Sequence, residues 1–81
     1  MPPELKKQRR TFEKETAAQS GHEIHFIGSF MTDRYKCQCM WKSDPYQDGE
    51  EYAYADWRTH VISQIGPFNY PLELRVETDS Q

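Results

Sequence analysis

An 81-residue chain with 36 % hydrophobic residues and a formal net charge of −3 has room for one small domain. Domains this short often draw on a metal, a disulfide or a second copy, because they bury little of the surface that their unfolded chain exposes. The charge balance argues against generic polyphosphate binding, which needs an excess of Lys and Arg, and no apolar run is long enough for a membrane span.

The charge is unevenly spread: residues 1–21 sum to +2 and the remainder to −5. After Met1, Leu5 and Phe12 are the only large apolar side chains of the first stretch. Its Glu, Lys, Gln and Ala favour helix, but so narrow an apolar stripe leaves a helix little to bury. Residues 1–21 therefore read as a polar, disordered tail, transiently helical at most, ending at Ser20-Gly21. The cluster Lys6-Lys7-Gln8-Arg9-Arg10 could touch nucleic acid or an acidic partner, although a solvated charged tail is the simpler reading. The start lacks the hydrophobic region of a secretory signal, and two thiols without such a signal fit a reducing, cytoplasmic setting.

Residues 22–42 read as a β-hairpin. His22 to Phe30 supplies β-branched and aromatic residues, Met31-Thr32-Asp33 makes a turn, and Tyr35 to Trp41 returns. Alternation puts Tyr35, Cys37, Cys39 and Trp41 on one face of the second strand, with Lys36, Gln38 and Lys42 on the other. Pro45 and Gly49 mark a loop over residues 43–49. A helix follows over residues 50–65, with Asp48 as its expected N-cap and Glu51 completing an acidic relative of the capping box. Ala53, Trp57, His60, Val61 and Gln64 share one helical face, and Gly66-Pro67 ends the helix. Beyond it, the alternation of Leu72, Leu74 and Val76 suggests a third strand at the sheet edge. The expected fold class is α+β: a ββα core over residues 22–66, with a C-terminal strand and tail over 67–81.

Cys37-Gln38-Cys39 holds the chain's two cysteines. A disulfide inside Cys-x-Cys would close a very small, strained ring. Two thiolates beside imidazoles instead suit a structural Zn²⁺ with four protein ligands, whose binding energy would add to folding. Cys37, Cys39 and His60 supply three ligands, and the first strand supplies the fourth as His25 or His22. A three-residue turn at Met31 to Asp33 places His25 opposite Cys39, which makes His25 the preferred choice; a two-residue turn would point His25 outward. The alternative is that the thiols are small buried apolar residues and the histidines are incidental.

The run of a histidine, Tyr35-x-Cys37-x-Cys39-x-Trp41, Ala53 and His60 resembles a pattern in small proteins of actinobacteria and their phages. In that pattern a Cys-x-Cys-Gly-Trp strand follows a histidine and precedes a helix with a terminal histidine. The likeness covers residues 22–62 and departs at Met40, where Gly is usual. It implies a zinc-finger-like or ribbon-like ββα unit, with Cys37, Cys39, His60 and one of His22 or His25 as ligands.

Other chemistry is poorly supported. Capping and an exposed helical face account for Asp48, Glu50, Glu51 and Asp56. No Gly-rich phosphate loop, oxyanion-hole motif or helix-terminal cysteine accompanies the Cys/His pair, and zinc would silence both thiols. A non-enzymatic module that binds a protein is the expectation, in the setting of a phage or mobile-element accessory protein. Tyr46, Tyr52, Tyr54, Tyr70 and Phe68 lie in loops or off the inner helical face; some must cover the small core, and a surplus left exposed would mark a protein interface. Nucleic acid is the second expected partner class. Against it, Glu50, Glu51, Tyr52 and Tyr54 stand where a DNA-reading helix would carry Arg, Lys, Asn or Gln.

Overall fold

Helix α2 (Glu50–Ile65) carries the other elements. The computed structural model describes residues 2–75. Before α2 come helix α1 (Pro3–Gln19) and an antiparallel pair of strands, β1 (Ile24–Phe26) and β2 (Tyr35–Cys37); after it comes a single 3-10 turn, Leu72–Leu74. The fold is α+β, as expected, but has two helices rather than one. Ala17, Cys37, Tyr54, Trp57, Val61, Phe68 and Tyr70 form its core.

The N-terminal segment is not a disordered tail. Pro3 sits at the first helical turn, where a missing N–H costs nothing, and the following residues are good helix formers. The face it buries is Arg9, Glu13 and Ala17, spaced four apart and almost invisible to a hydrophobic pattern. Glu13 is 4 % exposed. It accepts hydrogen bonds from Tyr54 Oη at 2.7 Å, from Arg58 Nε at 3.0 Å and from Tyr70 Oη. The guanidinium of Arg10 lies 3.8 Å from the centre of the Tyr54 ring, and that of Arg9 lies 4.1 Å from the Tyr70 ring. Lys6 pairs with Glu51 and Arg10 with Glu50. These contacts advance together along both helices, so α1 and α2 lie side by side in the same sense. Of the aromatics off the inner helical face, Tyr54, Phe68 and Tyr70 are the ones that cover the core, each buried, and Tyr52 stays exposed.

In the hairpin Ile24 lies opposite Cys37, His25 opposite Lys36 and Phe26 opposite Tyr35. This pairing slips three residues from the expected one, because the chain turns at Phe30-Met31. Thr32 N–H donates to Ser29 O at 3.0 Å, and Met31 adopts a φ of 65°. Gly28 lets the two arms approach: a Cβ there would lie 2.3 Å from Thr32 O and 2.4 Å from the Phe26 ring. A third, irregular pass then runs beside β2. Lys36 lies opposite Lys42 while Asp33 lies opposite Tyr46, so three steps on β2 match four on the returning chain, a bulge in the pairing. Edge and tilted ring contacts from Phe26 to Tyr35, Tyr54 and Trp57 carry the hairpin onto α2.

Two termini differ from expectation. Asp48 does not cap α2: it has a φ of 50°, and Gly49 occupies the cap with no side-chain bond. At the other end Gly66, with a φ of 89°, closes the helix by an N–H to Ile62 O bond of 2.8 Å, as its sequence signal implies. The expected third strand is absent from the described residues. Leu72–Leu74 form the 3-10 turn, with Leu74 N–H bonded to Pro71 O at 2.9 Å; Val76 lies outside the described residues.

Candidate metal centre

Strand β2 ends at Cys37, and the chain doubles back at once. Cys37 N–H donates to Trp41 O at 2.7 Å and Met40 N–H to Cys37 O at 2.9 Å, which puts Cys39 at the apex of the reversal. Met40 takes a φ of 80° to complete it. The expected strand through Trp41 is therefore a tight turn, and it is the turn rather than strand alternation that lets both sulfurs face one point. Gln38 N–H donates to Glu23 O at 2.8 Å and ties the turn to the start of the hairpin.

Two histidines arrive from either side. His22 follows the end of α1 directly: Gly21 has a φ of 81°, and His22 N–H folds back onto Ala17 O at 2.8 Å. His60 projects from α2, three residues beyond the buried Trp57. His22 Nδ1 lies 3.3 Å from Cys37 Sγ, and His60 Nε2 lies 3.1 Å from Cys39 Sγ. One donor atom from each of the four residues falls within 4.8 Å of the other three. A tetrahedral ion bound at about 2.3 Å to sulfur and about 2.0 Å to nitrogen needs its donors roughly 3.3–3.8 Å apart. Small adjustments suffice, so the group is able to hold a metal ion.

His25 is not a member of this group. Paired with Lys36, it points to the opposite face of the ribbon, half exposed, with its Nε2 3.3 Å from Glu23 Oε2. The position of the hairpin turn decides this, since a three-residue change in register reverses the face of every β1 side chain. Cys37, Cys39 and His60 do converge, and His22 takes the fourth place.

The surroundings are uneven. Cys37 is fully buried and Cys39 exposed. Burial pushes the Cys37 thiol up, so without an ion it holds its proton. Desolvation and then the nearby His22 hold His60 below the ordinary imidazole value, which keeps it neutral and ready to donate a lone pair. Trp41 lies flat on the His60 ring, with centroids 4.5 Å apart and planes 6° from parallel. That stack fixes the orientation of the imidazole, a role ordinarily filled by groups behind a metal ligand. Sequence reading placed Trp41 on the cysteine face but could not show this contact, because the turn that brings it over α2 carries no glycine.

The carboxylates near α2 are cross-links. Glu50 accepts from Arg10 and from Tyr35 Oη at 2.6 Å, and Asp56 accepts from Tyr46 Oη. The Arg10 guanidinium holds Glu50 below its usual value, while burial and then Glu50 push the Tyr35 hydroxyl up to about 12. Neither carboxylate is free to act as a general base. No protein-family model matches this chain, and no curated protein or solved structure matches it either.

Proposed function

We propose that His22, Cys37, Cys39 and His60 hold a structural Zn²⁺, and that the clamped fold is a non-enzymatic interaction module for a protein partner. The observation that carries the metal reading is the meeting of four sulfur and nitrogen donors within 4.8 Å from separate stretches of chain. Two thiols and two imidazoles favour zinc over the oxygen-seeking cations. Four protein donors fill a tetrahedron and leave no position for substrate, which favours scaffolding over catalysis. Metal analysis of the purified protein and of Cys39→Ser tests it. One zinc per wild-type chain is expected, with loss of both metal and hairpin structure in the variant. A wild-type protein that takes up no zinc, with near-ultraviolet dichroism indifferent to EDTA, would refute it.

For the partner, the support lies at the far end of the hairpin. Phe30 is 92 % exposed and Met31 54 %, with Phe26 and Ile27 exposed behind them. Apolar side chains on a projecting turn, one of them at positive φ, are costly unless something covers them. Arg34, Lys36 and Lys42 on the adjoining ribbon add positive charge, so the complementary protein surface is an apolar hollow with an acidic rim. A Phe30→Asp variant should retain zinc and lose the partner that wild type recovers from lysate. Equal recovery by both would remove the hairpin end from the reading. The phage or mobile-element setting rests on the sequence resemblance alone. Among the described residues no helix is long and apolar enough to cross a membrane.

Nucleic acid is the second reading, and one observation favours it. Lys6, Lys7, Arg10 and Lys14 of α1 line one side of an open cleft against Tyr35, an arrangement of cations and aromatic that suits single strands. Glu50 and Glu51 stand in the same cleft and oppose it. A salt-sensitive gel shift abolished by Lys7→Glu with Lys14→Glu would move this reading ahead.

A further inference from the structure

A surface that suits the hairpin end lies on this chain itself. Where α2 begins, Asp33, Asp48, Gly49, Glu50, Tyr52 and Ala55 line an open cleft of about 700 Å³, within the range that encloses bulky groups. Tyr52, 68 % exposed, gives it an aromatic wall, and carboxylates rim it. Glu50 and Glu51 are tied to Arg10 and Lys6, whereas Asp33 and Asp48 pair with no cation among the described residues. On the ribbon behind the hairpin end, Lys36 and Lys42 likewise pair with no carboxylate among the described residues. Opposite charges left unpaired within one molecule are available to pair between two. The cleft also adjoins the end that it would receive, because Asp33 on its rim follows the Phe30-Met31 turn closely.

We propose that the occupant of this cleft is the hairpin end of a second copy, so that two chains exchange tips in a closed, isologous dimer. The inference rests on the reading of the hairpin end as a protein interface and names the partner that covers it. A tip and a cleft side by side on one surface are what a two-fold contact needs: as one tip enters the other copy's cleft, the second tip meets the first cleft. Phe26, Ile27, Phe30 and Met31 of both copies, all exposed in one chain alone, then share a single interface. That doubling moves a small contact towards the area that stable pairs bury. Lys36 and Lys42 of each copy supply the charge that Asp33 and Asp48 of the other lack. Because the contact is self-complementary, association stops at two and leaves no bare tip on which a filament could grow.

Sedimentation equilibrium of the chain with zinc supplied, up to millimolar concentration, tests the assignment. Wild type should rise from 9.6 kDa towards twice that mass, with the dimer weakened by salt. Phe30→Asp, which removes the tip, and Asp48→Lys, which reverses the cleft, should each weaken self-association by about tenfold or more. Phe30→Ser is a milder change at the same exposed position and should weaken it too, which covers an aspartate variant that fails to fold. An equimolar mixture of Phe30→Asp and Asp48→Lys should associate more strongly than either alone, since one intact tip then meets one intact cleft. Wild type that stays monomeric overturns this inference and leaves the hairpin end as an interface for a different protein. A dimer untouched by Asp48→Lys overturns it as well, because the cleft is then not the seat. A dimer untouched by either Phe30 variant overturns it from the side of the tip.

Discussion

At φ 80° Met40 occupies backbone space where a side chain costs roughly 1–2 kcal/mol, and its own side chain is 70 % exposed. Glycine removes that strain but enlarges the freedom of the unfolded chain. Met40→Gly should therefore stabilise the metal-loaded protein by about 1 kcal/mol, read as a higher urea midpoint. An unchanged or lower midpoint would show that the turn is relaxed by some other means. The histidines give a sharper comparison. His22→Ala should abolish stoichiometric zinc, while His25→Ala should leave it intact, since His25 touches only Glu23 among the candidate partners described. Retention of zinc by the first and loss by the second would restore the register expected from sequence.

Among the elements, α1 has the most to lose from one side chain. Removing the Glu13 carboxylate leaves the hydroxyls of Tyr54 and Tyr70 and the Arg58 guanidinium without their shared acceptor. Glu13→Ala should cost about 3–5 kcal/mol, as the loss of one partner from a buried charged network does, measured by urea unfolding with zinc present. A cost below about 1 kcal/mol would mean that α1 is held by its surface pairs. This network also explains what sequence pattern could and could not reveal. Helix α2 was legible because Ala53, Trp57 and Val61 form an apolar stripe and Gly66-Pro67 stops it. Helix α1 was not, because it docks through an arginine stem, a carboxylate and an alanine, and hydrophobic periodicity is blind to all three. The hairpin was legible as an element and illegible in register, since Phe30-Met31 carries none of the Asn-Gly chemistry that usually marks a two-residue turn. Three of the four donors followed from residue type and spacing. The fourth depended on that register.

At the scale of the whole molecule, α2 is gripped from two sides by different chemistry. On one side the donor group joins it to the hairpin; on the other, charged and aromatic contacts join it to α1. Acid should undo the two in sequence. If the centre holds zinc as proposed, protons would compete with the ion for two thiolates and two imidazoles, and zinc should leave first. The Arg10–Glu50 link persists to lower pH: Glu50 is held below its ordinary 4.5, so its contribution is complete above that value and disappears as the pH falls through the lowered one. A zinc-responsive dye should therefore report release at a higher pH than the loss of helical dichroism. EDTA at neutral pH should reproduce the first change without the second. Coincident transitions would indicate a single cooperative unit. The junction between the two grips is the short fold-back in which His22 N–H meets Ala17 O. Because His22, a candidate metal donor, hangs directly from the last turn of α1, loading an ion should quiet fraying there. Amide protons around Ala17 and Ala18 should then exchange with deuterium more slowly in holo than in apo protein, while those near Lys6 keep their pace. An occupied centre would thus be sensed one helix away, through the peptide chain itself.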